Sequence, residues 1–201
     1  KDKEYDMTTS WLPEAGQIAF IRKQQTQGLG HAIWCARNFI DDEPFVVILA
    51  DELIQPKTNN FLAEMIEEFN KFDDKVNMVG VYEVADDQVD KYGIAATNEF
   101  NEVTEMIEKP PIDEAPSNKA IIGRYILQPE ITQILANTAK GRGGEIQLTD
   151  AMIELNNTQK FYAQTCTQPR FDCGSQLGFL EANIAFSADQ KGVKQILQKY
   201  I

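Results

Sequence analysis

Acidic side chains follow two short strand-like segments, and carboxylates in such positions can bind a divalent cation. Asp51 comes directly after the apolar run 45–50, and Asp172 lies in "RFDCGS", between a strand-like segment and Gly174. Hard cations such as Mg²⁺ take one or two carboxylates together with phosphate oxygens. A helix cap or a solvated turn would explain each aspartate as well. Both interpretations stay open, because sequence spacing does not show whether the two side chains converge.

A carboxylate and an ammonium group stand side by side at Glu108 and Lys109, where the strand-like run "VTEMIEKP" ends. A carboxylate can accept hydrogen bonds from sugar hydroxyls and an ammonium group pairs with phosphate, so the combination suits a sugar phosphate. The alternative is an exposed charge pair at a strand end. Gly93, inside another strand-like pattern, either allows a close approach of the backbone or marks a bulge.

Two glycines flank a leucine in "QTQGLGHAIWCA" (25–36), ahead of an apolar helical pattern. Gly28 and Gly30 supply either a positive φ for a turn or room for something to approach the backbone. For His31, the only histidine of the chain, we expect no serine, cysteine or metal-ligand partner nearby. A hydrolase triad or a zinc site is therefore not supported, and we assign His31 a structural role at the start of a helix.

Short β-branched or aromatic runs alternate with stretches of helical period, which predicts an α/β fold. The segments 17–22 and 43–51 are predicted strands, and the second is apolar without a break over 45–50, as expected of a central strand covered on both faces. Open parallel sheets have their ligand crevice at the carboxyl ends of the strands. Asp51 and Glu52 stand at such an end.

The second half of the chain departs from this simple alternation. A strand pair joined by a polar turn over 98–102 is predicted there, and "KPPIDEAPSNK" (109–119) is typical of a surface loop. The other strands predicted beyond residue 60 are at 76–84, 119–127 and 160–166. The helices predicted there are at 61–69, from Pro129 through Leu135, at 144–155, around Leu180 and around Ile196.

The composition predicts a single domain over residues 1–201. A formal net charge of -12 repels nucleic-acid phosphates and anionic membranes, so neither is an expected partner. No apolar run approaches the roughly 18 residues of a membrane span. Three cysteines without a CxxC pair indicate a reducing compartment, and we expect a cytoplasmic protein. The two closing helices carry apolar residues, Ile196 among them, that would pack either on the sheet or on another subunit. A homo-oligomer therefore remains an alternative to a monomer.

Seven motifs follow one another along the chain: "GLGHA", "ILADELI", "YGI", "EVTEMIEKP", "AIIGRYIL", "GEIQLTDA" and "FDCGSQLGFLEA". Taken in order, they resemble the bacterial UTP:glucose-1-phosphate uridylyltransferases, within the wider family of sugar-nucleotide transferases. The resemblance runs from about Ile18 to near the end of the chain. It implies a nucleotidyltransferase-type fold, a Rossmann-like mixed α/β sheet flanked by helices.

The resemblance also implies a reaction, in which nucleotidyl transfer from UTP to glucose 1-phosphate gives UDP-glucose and pyrophosphate. An oxygen of glucose 1-phosphate would attack the α-phosphorus of UTP in line, with Mg²⁺ as the cofactor and no covalent enzyme intermediate. Asp51, Lys109 and Asp172 are the implied catalytic residues, and the two aspartates would hold the metal. Positioning and electrostatics would carry the rate of such a reaction.

Substrate-binding residues are implied in the same way. Gly28 would lie against the uracil base, Gly93 would contact the sugar through its backbone, Glu108 would bind glucose hydroxyls and Lys109 the sugar phosphate. The glutamine that reads the uracil edge in the family is displaced in this chain, where Lys23 takes its place. Either Gln24 reaches the base through a shifted loop or the base selectivity is altered.

A larger departure from the family concerns the opening of the chain. The family begins with a strand, a Gly-rich GxGTR-type loop and a basic segment that bind the nucleotide phosphates, and neither loop nor segment is found in residues 1–201. The N-terminal part of the family fold is therefore expected to be missing. A truncated chain, a flexible opening portion outside the numbering and a genuine short relative would each explain this.

Two other functions fit parts of the pattern. A sugar-phosphate or nucleotide binding module without catalysis would keep Glu108 and Lys109 and dispense with the phosphate loop. A glycosyltransferase that consumes a sugar nucleotide would place its metal at Asp51 but would not require "EKP" beside a "YG" segment.

Overall fold

The computed structural model describes residues 13–200, except for the side chain of Arg142. Eight strands and six α-helices alternate along this part of the chain. The strands are β1 (Phe45–Ile48), β2 (Glu52–Ile54), β3 (Asn77–Glu83), β4 (Gly93–Thr97), β5 (Val103–Glu108), β6 (Lys119–Leu127), β7 (Phe161–Thr165) and β8 (Arg170–Asp172). The helices are α1 (Leu29–Cys35), α2 (Phe61–Phe69), α3 (Ile131–Leu135), α4 (Leu148–Asn156), α5 (Gln176–Ser187) and α6 (Val193–Leu197).

Six of the strands form one mixed sheet, and β2 pairs with β8 in a separate two-stranded ribbon. The order in the large sheet is β5-β4-β6-β3-β7, and β1 also pairs with β6. Only β3 and β7 run parallel, whereas the other pairs are antiparallel. The predicted α/β class with a mixed sheet flanked by helices is confirmed.

Helices pack on both faces of the sheet, and alternate residues of β6 show the division. Ile121 and Tyr125 belong to the larger apolar cluster, into which α1, α3 and α4 contribute side chains. Ile122 and Ile126 belong to a second cluster with Phe61 and Met65 of α2. Most of the strand is apolar because both of its faces are covered.

The predicted strand at 17–22 is wrong. These residues form no strand, and they are exposed, with 96% of the Phe20 surface accessible. An apolar run becomes a strand only where a neighbouring strand satisfies its backbone, and this segment pairs with none in residues 13–200.

The second correction concerns β1, which is not a central strand covered on both faces. Its one neighbour within the described chain is β6, which runs antiparallel to it. Val46 and Ile48 are exposed, while Phe45 and Val47 pack against the larger cluster. Asp51 therefore follows an antiparallel strand at an edge of the described sheet, and the crevice of a parallel sheet does not account for its position.

The other elements agree with the sequence more closely. The strand pair, the strand at 119–127 and the helix at 61–69 are confirmed, and the helix predicted to begin at residue 144 begins at Leu148 instead. Gly143 and Gly144 have positive φ values of 75° and 72°. This conformation does not occur in a right-handed helix, so the helix cannot begin at residue 144. In the described part of the chain, no helix combines the length and the apolar character needed to cross a membrane.

Candidate functional site

A cleft of about 280 Å³ opens where the β4–β5 hairpin, β6 and the start of α4 meet. Its wall carries charged, aromatic and hydroxyl side chains at an edge of the sheet, which makes it the candidate site for a polar ligand. The lining residues used below are Glu52, Tyr92, Gly93, Glu108, Lys109, Tyr125 and Thr149.

The end of β5 supplies the acidic and basic groups of the cleft. Glu108 is the last residue of the strand, and Lys109 has a positive φ of 48°, which is uncommon for a residue other than glycine. Lys109 Nζ lies 3.6 Å from Glu108 Oε1, and its backbone N–H donates to the Tyr92 carbonyl at 2.9 Å. The left-handed turn at Lys109 lets two consecutive side chains line the same cleft, where a regular strand would point them to opposite faces.

Gly93 faces Glu108 directly across the hairpin. A Cβ at this position would lie 3.0 Å from Thr149 Oγ1 and 3.1 Å from Glu108 Oε2. These two atoms are themselves joined by a hydrogen bond of 2.6 Å, in which the hydroxyl donates to the carboxylate. The predicted close approach at Gly93 is therefore present, and it is made by the floor of the cleft.

The β2–β8 ribbon brings the two predicted metal-binding aspartates together. Asp51 directly precedes β2, Asp172 ends β8, and the Cys173 backbone N–H donates to the Asp51 carbonyl at 2.7 Å. A Cβ at Gly174 would lie 3.0 Å from Asp172 Oδ1 and 3.5 Å from Asp51 Oδ2, so both carboxylates border the same small space. Asp172 does not cap α5, because Ser175 fills that role by accepting the Gly178 N–H.

Two carboxylates that border one space match the small protein contribution that Mg²⁺ needs when phosphate oxygens and water complete its coordination. Both side chains are exposed, which leaves room for those other ligands. In residues 13–200 no three acidic, histidine or cysteine side chains come close enough to form a metal site by themselves. Asp51 and Asp172 are thus the residues that could hold a cation jointly with a phosphate ligand.

Beneath these exposed aspartates lies a buried ion pair that the sequence analysis did not predict. The Arg170 guanidinium donates two hydrogen bonds to the Glu52 carboxylate, from Nε to Oε2 at 2.6 Å and from Nη2 to Oε1. The two side chains are only 7% and 13% exposed, respectively. Burial alone would lower the pKa of Arg170, but the hydrogen bond and charge of Glu52 raise it above its usual value.

The backbone carbonyl of Glu52 accepts a hydrogen bond from a second arginine. Arg124 donates from Nη2 to the Glu52 carbonyl at 2.8 Å and from Nη1 to the Gly123 carbonyl at 2.7 Å. Burial lowers the pKa of Arg124, and the nearby Glu52 charge partly opposes this. Two arginines from different strands therefore fix the turn that carries Asp51.

Tyr125 is a buried residue in the wall of the cleft. Burial raises the pKa of its phenol, and the negative charges of Glu108, Glu52 and Asp51 raise it further. Glu52 of the ribbon and Glu108 at the end of β5 line the same cleft as this phenol.

Of the two residues predicted to contact the nucleotide base, Gly28 lies next to the cleft-lining Leu29 and Glu145, whereas Gln24 lies outside the cleft. Gln24 borders a separate open depression with His31 and Cys35, outside the cleft that contains Glu108. Gly28 has a φ of 94°, and a Cβ there would lie 2.7 Å from the Ile146 carbonyl oxygen. The chain's own backbone therefore requires glycine at this position, whether or not a base lies nearby.

The expectation that His31 lacks a cysteine partner is wrong. Cys35 Sγ lies 3.7 Å from His31 Nε2 and 3.9 Å from Nδ1, one helical turn along α1. The spacing of four residues is the signal that would have shown this contact. The pair remains without a third metal-binding side chain within the described residues.

The sequence profile of the family described as "Nucleotidyl transferase" matches residues 3–188. The chain belongs to the nucleotidyl transferase family. The match begins earlier than the predicted limit near Ile18, so the polar opening of the chain lies inside the family's profile.

Curated nucleotidyl transferases resemble this chain over most of its length. The UTP--glucose-1-phosphate uridylyltransferase of Bacillus subtilis is 40% identical over 188 residues, which cover 92% of this chain and 63% of the relative. A protein of the same name from Pseudomonas aeruginosa is 41% identical over 170 residues, or 82% of this chain and 60% of the relative. The chain thus spans less than two thirds of the length of these relatives.

Solved structures of nucleotidyl transferases support the same relationship. UDP-glucose pyrophosphorylase complexed with UDP-glucose superimposes with a TM-score of 0.81 at 38% identity, covering 86% of this chain and 66% of that one. The UTP-bound enzyme from Acinetobacter baumannii gives a TM-score of 0.80 at 32% identity, covering 99% and 71%. The predicted resemblance to the uridylyltransferase branch is confirmed.

Proposed function

We propose that this chain is the part of a UTP:glucose-1-phosphate uridylyltransferase that binds the sugar phosphate and the metal. One observation carries the proposal: Glu108 and Lys109 line a cleft beside the ribbon on which Asp51 and Asp172 converge. The names of the similar proteins support the identity of the substrates. We further propose that residues 1–201 belong to a single nucleotidyltransferase domain and that the protein is cytoplasmic.

In the proposed complex, the Glu108 carboxylate accepts hydrogen bonds from glucose hydroxyls and the Lys109 ammonium group binds the phosphate of glucose 1-phosphate. A phosphate oxygen held there would be aimed at the α-phosphorus of UTP, and pyrophosphate would leave on the opposite side. Mg²⁺, the proposed cofactor, would be held by Asp51 and Asp172 and would offset the charge of the reacting phosphates. The side chains named act by positioning and charge, and none acts as a nucleophile.

Gly28 and Gln24 are proposed to face the uracil end of UTP. Gly28 precedes α1 beside Ile146, and Gln24 borders the depression near His31. The proposal for both residues is supported by their place before and within the family motif "GLGHA".

The experiment is a pyrophosphate-release assay on the full-length protein with UTP, glucose 1-phosphate and Mg²⁺, run beside calorimetry with glucose 1-phosphate. Glu108→Gln is expected to weaken glucose 1-phosphate binding about ten- to hundredfold, because a hydrogen bond to a charged group is lost. Glu105→Gln is the matched control, since Glu105 is exposed on the same strand. No pyrophosphate release would contradict the proposal, and binding without release would favour a binding module.

Self-association is also proposed, through the closing helices. Leu177, Phe179 and Leu180 of α5 are more than half exposed, and Ile196 of α6 is similarly accessible. Apolar patches of this kind are typical of surfaces that pack against another chain. Light scattering on the protein tests the assembly state, and a monomer at all concentrations would contradict it.

A further inference from the structure

Thr149 is the hydroxyl residue of the cleft to which the sequence analysis assigned no role. It is the second residue of α4, is only 7% exposed and lines the cleft with Gly93 and Glu108. Its Oγ1 donates to Glu108 Oε2 at 2.6 Å. A hydroxyl has a single proton to donate, so this hydrogen bond fixes the direction of the Thr149 hydroxyl group.

The two oxygens of the Glu108 carboxylate have different partners. Oε2 accepts from Thr149, while Oε1 lies 3.6 Å from the Lys109 ammonium nitrogen. The Thr149 hydrogen bond and the nearby ammonium group therefore restrict the orientation of the carboxylate before any ligand arrives. Charge-assisted hydrogen bonds of this length are among the stronger ones in proteins.

Apolar contacts, rather than this hydrogen bond, are the main anchor of helix α4. Leu148, Ala151, Met152 and Leu155 anchor the helix in the larger apolar cluster, each at most 2% exposed. The Thr149 hydroxyl makes no part of these apolar contacts and donates instead to the Glu108 carboxylate at the wall of the cleft.

We propose that Thr149 is a positioning residue for sugar recognition: its hydroxyl holds the Glu108 carboxylate in the orientation that accepts hydrogen bonds from the hydroxyls of a hexose 1-phosphate. The inference rests on the proposed function of the cleft. A carboxylate that is already oriented loses less freedom when the sugar binds, so affinity rises without a further contact to the ligand. The phosphate of the ligand, held by Lys109, does not depend on Thr149.

The test compares two ligands, glucose 1-phosphate and inorganic phosphate, by calorimetry on the full-length protein. Thr149→Val keeps the shape of the side chain and removes the donor, and it is expected to weaken glucose 1-phosphate binding about tenfold while leaving phosphate binding unchanged. Thr149→Ser restores the donor and is expected to restore the discrimination between the two ligands. In a Glu108→Gln background, Thr149→Val is expected to cause less than a threefold further loss, because its target carboxylate is gone.

One control variant, together with thermal unfolding, separates positioning from a structural role. Thr132→Val removes another helix-start hydroxyl, which donates to the Pro129 carbonyl at 2.9 Å far from the cleft, and thermal unfolding of both variants gives the cost of losing such a bond. Equal weakening of both ligands, or no weakening in Thr149→Val, would overturn the inference and leave the proposed function standing. If the unaltered protein binds glucose 1-phosphate no better than phosphate, the proposed function fails and the inference with it.

Discussion

The two ends of the candidate site are built in different ways. On the β2–β8 ribbon, the side chains proposed to act, Asp51 and Asp172, are exposed, and a separate buried pair, Glu52 and Arg170, supports them. At the end of β5, by contrast, Glu108 is itself largely buried and is part of the floor that holds the hairpin and α4 together. Support and function are therefore carried by different residues on the ribbon and by the same residues at the sugar end.

The difference follows from the size of the two structures. A ribbon of two three-residue strands cannot bury enough apolar surface to fix its own position, so a buried ion pair and backbone contacts from arginines complete it. The hairpin at the sugar end belongs to a six-stranded sheet, and its position is already set.

The largest effect is expected from Arg170→Met, which removes the support of the ribbon. Glu52 would be left as a buried carboxylate without its partner, a change that typically lowers the free energy of unfolding by about 3–5 kcal/mol. Lys71→Met is the matched control, because the Lys71–Glu68 pair is exposed and such pairs contribute about 0–1 kcal/mol. Urea unfolding followed by circular dichroism measures both, and a loss below about 1 kcal/mol for Arg170→Met would remove the distinction between the two ends.

The second test changes the exposed aspartates on the same ribbon. Asp51→Asn and Asp172→Asn are expected to lower Mg²⁺-dependent pyrophosphate release about a hundredfold or more, since a metal ligand that offsets phosphate charge contributes several kcal/mol. Unfolding stability should change by less than about 0.5 kcal/mol, as for other exposed positions. Asp42→Asn, also exposed, serves as the control for both measurements, and a large loss of stability in either variant would show that the ribbon does not separate support from function.

At the sugar end, a single change is expected to affect binding and packing together. Gly93→Ala places a methyl group 3.0 Å from Thr149 Oγ1 and 3.1 Å from Glu108 Oε2, so the hydrogen-bonded pair must move. We expect glucose 1-phosphate binding to weaken about tenfold and stability to fall by about 1 kcal/mol, the lower range for overpacking. Calorimetry and urea unfolding of the same sample provide the comparison, and a change in only one of them would contradict shared roles at this end.

The smallest effect is expected at Asp150, next to Thr149. Burial and the Glu108 charge raise the pKa of the Asp150 carboxyl above 3.8, its unfolded value. A raised carboxyl pKa favours the folded state below the unfolded pKa and loses that contribution as pH rises through the folded value. Asp150→Asn should therefore stabilise the protein slightly at pH 7, and the gain should vanish below about pH 3.8. Thermal unfolding across pH checks this, and a gain that persists in acid would point to a cause other than charge.

The sequence predicted those elements whose neighbours lie within the described chain. The strand at 119–127 was recognised because both of its faces are covered, and the hairpin because its turn residues are local. The segment 17–22 carries the same apolar signal but has no strand beside it, and a pattern of residue types does not contain that information. For the same reason the sequence could not show that β1 has a single neighbour within residues 13–200.

The candidate site likewise contains residues that local motifs indicate and contacts that only the tertiary fold creates. Motifs indicated Asp51, Gly93, Glu108, Lys109 and Asp172, whereas the contacts that support them were missed. Glu52 and Arg170 are 118 positions apart, and Thr149 is 41 positions from Glu108, so no local spacing connects them. Only the tertiary fold brings such partners together, although the position of Thr149 within the family motif "GEIQLTDA" indicates that it lies near the site.

The close approach at Gly28 has a consequence for which substitutions the chain can tolerate. The Ile146 backbone N–H donates to the Gln27 carbonyl at 2.8 Å, and the Gly30 N–H donates to the Ile146 carbonyl at 3.0 Å. These contacts use only the main chain of residue 146, so exchanging its side chain leaves them intact, while any side chain at Gly28 collides with them. Position 28 is therefore confined to glycine by the backbone, whereas residue 146 is constrained only by the packing of its side chain against the larger apolar cluster.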